Sequence, residues 1–306
     1  MMTTAQPTAR IFPGALRGLT APLIALAAAS VLLVAIVLPD TRQTTDSGIT
    51  APETVTLAPA SFTYRPAGAW LKEGDPVDAP AVSHSLTAPL VITRHLIAAT
   101  DYALCVADGG CADNGLKQSL SSDGRPLPAT MISYDDATDY ARWLSVQTGE
   151  RWRLPTDAEW SFAAGSRYQF EGLDETSDID NPATRWLAGY RQSAERQADA
   201  QPQPLGHFGK NEHGLTDMAG NVWEWTDTCF ARVRLDATGA ELSVVKNCGA
   251  HAVAGEHRTS ITNFIRDARA GGCAVGVPPD NLGFRLVREP VGTFDRLTAG
   301  LRRLWD

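Results

Sequence analysis

Residues 21–39, APLIALAAASVLLVAIVLP, carry no charged side chain. As a helix this run spans roughly 28 Å, close to the hydrocarbon thickness of a bilayer. It therefore divides the chain before any other feature is considered. Arg10 and Arg17 precede the run without an acid among them, and Asp40 and Asp46 follow it. Positive charge stays on the cytoplasmic side, so residues 1–20 are expected inside and the rest outside. The run exceeds the apolar core of about 7–15 residues usual in signal peptides. An uncleaved, single-pass inner-membrane anchor with the folded domain in the periplasm is the expectation; a cleaved signal is the alternative. A buried core helix fits poorly, because the segment is apolar on every side and abuts a polar stretch. That stretch, residues 40–60, is rich in Thr, Pro and Asp and reads as a solvated linker. The folded domain is expected from Ser61.

The remainder of this 306-residue chain, 43% hydrophobic in all, is long enough for a sizeable core. The formal net charge of −8, with no run of Lys or Arg, argues against nucleic acid as a partner. Most of the eight Trp and 26 Gly lie after residue 140. That mixture predicts turns and irregular loops pinned by large aromatics rather than long helices.

Two helices stand out. In SYDDATDYARWLSVQTG, Ala137, Tyr140, Ala141 and Leu144 share one face. Asp135 or Asp136 is the expected cap and Gly149 the stop. In RLPTDAEWSFAAG, Thr156 and Glu159 have the spacing of a capping box, and Gly165 ends the helix. Residues 166–213 are polar, with one further helix expected around Pro182–Ala198. NVWEWTDTC, ELSVVKNC and LGFRLVRE read as strands. The tail, residues 290–306, puts Phe294, Leu297, Leu301 and Leu304 on one helical face, an amphipathic terminal helix docked on the domain or on a membrane.

Five cysteines suit an exported protein. The expected pairs are Cys105–Cys111 and Cys229–Cys248, leaving Cys273, with Cys248–Cys273 as a competing pair.

Four segments occur in order: TMISYDDATDYARWLSVQTGERWRLPTDAEWSFAAG, HGLTDMAGNVWEWTDTC, VVKNCG and DNLGFRLVRE. Together they resemble the sulfatase-modifying-factor family, which includes the formylglycine-generating enzymes, over roughly residues 80–289. The resemblance implies an α+β fold related to C-type lectins, with much irregular structure, over residues 61–289. RPAGAWLKEGDPVDAP and FIRDARAGGCAVGVPPDNLGFRLVRE are similar to the NirV-type subgroup, exported accessory proteins found with copper nitrite reductases.

In the enzymes of this family, two neighbouring cysteines bind copper and oxidise a substrate cysteine. The corresponding positions here fall near Val253 and Arg258. Valine offers no ligand and arginine is permanently cationic, whereas copper(I) takes soft thiolates. A second branch uses histidine-bound iron in an additional helical domain, for which this chain has no room. HAVAGEH holds His251, Glu256 and His257, but the spacing of the two histidines suits no helix face. A hydrogen-bonded or surface role is expected for them. The family's GNVWEW turn binds calcium in some members, which implies Asn221, Glu224 and the Ala219 carbonyl as ligands. Calcium takes 6–8 hard oxygens, and a tight turn presents them. The alternative is that Asn221 and Glu224 cap backbone N–H groups without metal. Trp223 and Trp225 are expected in the core.

The resemblance favours a non-oxidase accessory protein that binds a periplasmic protein partner or peptide. An oxidoreductase using Cys273 with copper or iron, and a lectin-like binding module, are the alternatives.

Overall fold

The computed structural model describes residues 49–116, 118–168, 201–255, 258–267 and 281–289. The chain divides into two units, Met1–Gly48 and Ile49–Asp306. The apolar run, the helix expected near Pro182–Ala198, Glu256, His257, Cys273 and the tail 290–306 lie outside the described residues. Among the described residues no helix is long and apolar enough to cross a membrane.

Ordered chain begins earlier than Ser61. Strand β1 (Thr54–Leu57) pairs antiparallel with β6 (Leu90–Thr93), and Leu57 is buried. Its β-branched residues suit a pleated surface, and Leu57 and Val55 both pack into the core cluster around Trp160 and Leu215. The sheet continues through β12 (Val287–Glu289) to β7 (Arg151–Arg153), in the order β1-β6-β12-β7. The fragment LGFRLVRE is therefore two short strands, since β11 (Leu282–Gly283) pairs parallel with a different sheet. A small ribbon joins β2 (Ser61–Tyr64) to β5 (Val82–Ser85).

The second sheet runs β10-β9-β8-β3-β4, with β3 (Ala69–Lys72), β4 (Asp75–Val77) and β10 (Arg258–Thr262) flanking a long hairpin. That hairpin is β8 (Trp223–Leu235) and β9 (Glu241–Ala254). Asp236 closes it, its Oδ1 accepting from the Thr238 and Ala240 N–H groups. The root of the hairpin is buried, whereas residues 241–249 of β9 are exposed. The ladder is irregular around Cys229: Trp225 faces Val253, Cys229 faces His251 and Phe230 faces Asn247, with register shifts between. Such bulges bend a strand and re-aim its side chains.

Among the described residues three α-helices accompany the sheets. Helix α1 (Ala99–Ala107) has no clear sequence signature, because its first turn lacks a side-chain cap. Helix α2 (Tyr134–Thr148) buries Ala137, Tyr140, Ala141 and Leu144 as the spacing predicts. Its cap is Ser133, ahead of both Asp135 and Asp136, the expected caps; Asp136 supplies the reciprocal carboxylate of a capping box. Gly149 ends it at φ 68°, which a side chain would disfavour. Helix α3 (Asp157–Ala164) has the Thr156–Glu159 capping box, with Gly165 at its end. Trp225, Tyr140, Phe284 and Ile132 meet in one core cluster, Trp160, Leu215 and Met218 in another. Trp225 lies fully buried and its Nε1 donates to the Ile132 carbonyl at 2.7 Å, so its polar edge is satisfied.

Candidate functional site

The turn before β8 is built from left-handed backbone. Asp217, Ala219 and Asn221 all have φ between 49° and 58°. The Asp217 carboxylate holds this turn by accepting from the Gly206 and Phe208 N–H groups at 2.6 and 2.9 Å. Asn221 bonds through both ends of its amide to the backbone of Gln203, each at 2.8 Å. Glu224, at 0% exposure, faces Arg285, also at 0%. Arg285 Nε and Nη2 donate to the two carboxylate oxygens, Nη2 at 2.9 Å. Arg285 reaches further to the carbonyls of Thr93 and Thr216 at 3.3 and 3.1 Å.

This donor set does not fit calcium. Both Glu224 oxygens are engaged by a permanent cation, and a second cation beside Arg285 would be repelled in a dry interior. Asn221 is likewise spent on Gln203, and the Ala219 carbonyl is left without the side chains that would complete a shell of 6–8 oxygens. Of the two residues that the alternative gave a backbone-capping role, Asn221 has it at the Gln203 N–H, whereas Glu224 pairs with Arg285. The pair binds the GNVWEW and GFRLVR segments to each other across the core. A lone Glu and a lone Arg, each flanked by apolar residues, were the available sign that they pair.

The positions expected to carry the copper thiols lie on adjacent strands, one residue out of register. Val253 is fully buried in β9, opposite Trp225 and Thr259. Arg258 opens β10 and lies 3.2 Å from Asp157. Its Nη1 also donates to the Arg65 carbonyl, and its guanidinium carbon stands 4.6 Å from the Tyr168 ring centre. Asp157 sits in the first turn of α3, where a carboxylate is favoured by the helix dipole. Its Oδ2 accepts from the Ala67 N–H at 2.9 Å, and its own N–H donates to Thr228 in the β8 bulge. Burial pushes the Asp157 carboxyl up, against the pull of Arg258 and the Ala67 N–H. Burial and the Asp157 charge likewise raise the Tyr64 hydroxyl.

This cluster of Asp157, Arg258, Tyr64 and Tyr168 is the part of the site that sequence reasoning misses. Glu159 accounts for the cap of α3, which leaves Asp157 in the same turn as an unexplained acid. Asp157 Oδ1 and Arg258 Nη2 are buried without a hydrogen-bond partner among the described residues. One acceptor, itself 3.2 Å from Arg258 Nη1 in the ion pair, and one donor are thus left over from the pair, a complement to groups such as a peptide amide or a water. Among the described residues no three His, Cys, Asp or Glu side chains gather to hold a metal.

Both expected disulfides form. Cys105–Cys111 has an S–S distance of 1.98 Å and ties the end of α1 to the loop after it. Cys229–Cys248 has 1.97 Å and spans the irregular part of the hairpin. Cys248 is therefore bonded to Cys229, not to Cys273. His251 is buried and hydrogen-bonded, as expected, with its Nδ1 2.7 Å from Asn263 Oδ1.

Comparison with known proteins places these features in a family. The chain is 31% identical over 197 residues to the formylglycine-generating enzyme of Mycobacterium tuberculosis, covering 57% of this chain and 62% of that one. It is 35% identical over 120 residues to the formylglycine-generating enzyme of Streptomyces coelicolor, covering 35% and 34%. It is also 26% identical over 178 residues to the inactive C-alpha-formylglycine-generating enzyme 2 of Mus musculus, covering 56% and 51%. The chain thus spans less than two thirds of the length of each of these relatives. Residues 40–290 match the sulfatase-modifying factor enzyme 1-like domain, and the chain belongs to that family.

Proposed function

We propose that this chain is a non-oxidase member of its family, anchored in the inner membrane, that holds a partner polypeptide in the periplasm in support of a copper nitrite reductase. The observation that carries this reading is the fate of Val253 and Arg258. One fills the core and the other is locked against Asp157, so neither supplies the thiolate that copper(I) takes. The similarity to an inactive relative agrees with the loss of chemistry. Asp157 Oδ1 and Arg258 Nη2, each without a hydrogen-bond partner among the described residues, suit the backbone amide of a bound polypeptide. The uncharged run 21–39, with arginines before it and acids after it, supports anchoring and export.

Sedimentation of the detergent-solubilised full chain with the purified copper nitrite reductase of the same cell tests this. A complex is expected at low micromolar concentration, weakened at least tenfold by Arg258→Gln. No complex with the reductase would refute the partner, and equal binding by the variant would refute the site.

A further inference from the structure

The Cys229–Cys248 bond sits in surroundings that a structural staple does not require. Cys248 is on the exposed arm of β9, whereas Cys229 is half-buried in β8. His251 Nε2 lies 3.7 Å from Cys229 Sγ. The His251 ring is only 4% exposed and stacks on Tyr134, with centres 3.7 Å apart and planes 7° from parallel. The Tyr134 hydroxyl donates to Asp227 Oδ1 at 2.7 Å.

The tautomer of His251 follows from its neighbour. The Asn263 amide nitrogen donates to the Cys248 carbonyl at 2.9 Å, since a carbonyl can only accept. That turns Asn263 Oδ1 toward His251 Nδ1, at 2.7 Å. Nδ1 must then carry the proton, and Nε2, facing the sulfur, is the basic nitrogen. A sulfur, an imidazole and an orienting amide stand in the order that activates a thiol. The titratable groups against this ring are Tyr134 and, through its hydroxyl, Asp227; β10 opposes His251 with Ile261, which carries no charge.

We propose that Cys229–Cys248 is a redox-active centre that exchanges two electrons with a protein dithiol. The thiolate of an incoming dithiol attacks the exposed Cys248 Sγ. The new S–S bond forms as the Cys248–Cys229 bond breaks, and Cys229 leaves as a thiolate beside the protonated His251. The second thiol of the partner then attacks the mixed disulfide and releases Cys248 as a thiol. The partner loses two electrons and two protons. Cys229 and Cys248 gain the electrons, one proton resides on His251 Nε2 and the other on Cys248. The ring of Tyr134 faces the imidazolium and favours its charge. A leaving thiol of low pKa departs faster, which sets the role of His251. This centre is independent of the peptide-binding reading of Arg258.

The full chain, reduced with dithiothreitol under native conditions, is alkylated across a pH series and its cysteines quantified by peptide mass mapping. Cys229 is expected to become reactive well below the pKa of about 8.5 of a free thiol, whereas Cys248 follows the ordinary value. His251→Gln is expected to remove that low-pH reactivity and to slow reduction of the disulfide about tenfold, consistent with a leaving-group pKa higher by about two units. Asn263→Leu, which frees the tautomer without touching sulfur, is expected to give a partial loss and guards against a misfolded His251 variant. Ordinary titration of Cys229 in the unmodified chain, or an unchanged profile in both variants, overturns the proposal.

Discussion

Glu224→Gln isolates the buried pair at the centre of the molecule. The substitution keeps the shape and removes one charge, leaving the Arg285 guanidinium without a counterion at 0% exposure. Removing one member of a buried pair costs about 3–5 kcal/mol. Arg285 keeps the Thr93 and Thr216 carbonyls at 3.3 and 3.1 Å, and glutamine retains one acceptor, so the lower end applies. The expected loss is about 3 kcal/mol, a shift of roughly a hundredfold in the folding equilibrium. Urea unfolding of the full chain with disulfides intact, followed by tryptophan fluorescence, measures it as a lower midpoint at unchanged slope. The paired replacement Glu224→Leu with Arg285→Met should recover most of the loss, because a well-packed apolar pair need not be less stable than a buried ion pair. A loss below about 1 kcal/mol for Glu224→Gln would refute the reasoning, since such a cost belongs to an exposed pair. So would a chelator-induced fall in the unfolding midpoint that Glu224→Gln abolishes, because the carboxylate would then be holding calcium instead of Arg285.

Thr156→Ala removes the hydroxyl that accepts from the Glu159 N–H at 3.2 Å and is expected to cost about 1 kcal/mol by the same unfolding assay. Gly255→Ala would place a methyl 2.7 Å from the Trp223 ring and should cost about 1–3 kcal/mol, with a change in tryptophan emission. Asp136 is pushed up by burial, but the Arg266 and Ser133 hydrogen bonds outweigh this and hold it below the usual carboxylate range. A depressed carboxyl stabilises the fold above its unfolded pKa of about 3.9, and that contribution is lost as pH falls through the folded value. Arg266→Met should therefore flatten the acid limb of a stability–pH curve while lowering the plateau above it; a parallel curve would contradict this.

The sequence is informative wherever one local rule decides the structure. Thr156 with Glu159, and Gly149 after an amphipathic repeat, specify helix ends because capping is satisfied within four residues. Cys105–Cys111 is similarly local. Ser133 is harder to pick out from Asp135 and Asp136, since all three are competent caps and only backbone geometry separates them. β11 and β12 read as one strand because nothing between Leu282 and Glu289 interrupts the apolar pattern, although the strands join different sheets. The Glu224–Arg285 pair joins residues 61 positions apart, and the Arg258–Asp157 pair residues 101 apart. Such pairings are set by packing of the whole sheet, to which neither neighbourhood alone refers. Left-handed backbone at Ala219 is hidden for the opposite reason: alanine carries no sign of it, and the conformation is imposed by the Asp217 and Asn221 contacts on either side.

The proposed function requires that this chain keep the scaffold of its family without the oxidation chemistry of a formylglycine-generating enzyme. The direct measurement is aldehyde formation on a cysteine-containing substrate peptide, with copper and oxygen supplied, trapped by a hydrazide and read by mass spectrometry. The Streptomyces coelicolor relative serves as the positive control. No aldehyde above the copper-only blank is expected, on the proposal that Val253 and Arg258 occupy the positions of the thiolates. Catalytic aldehyde formation that disappears in Cys273→Ser would contradict it.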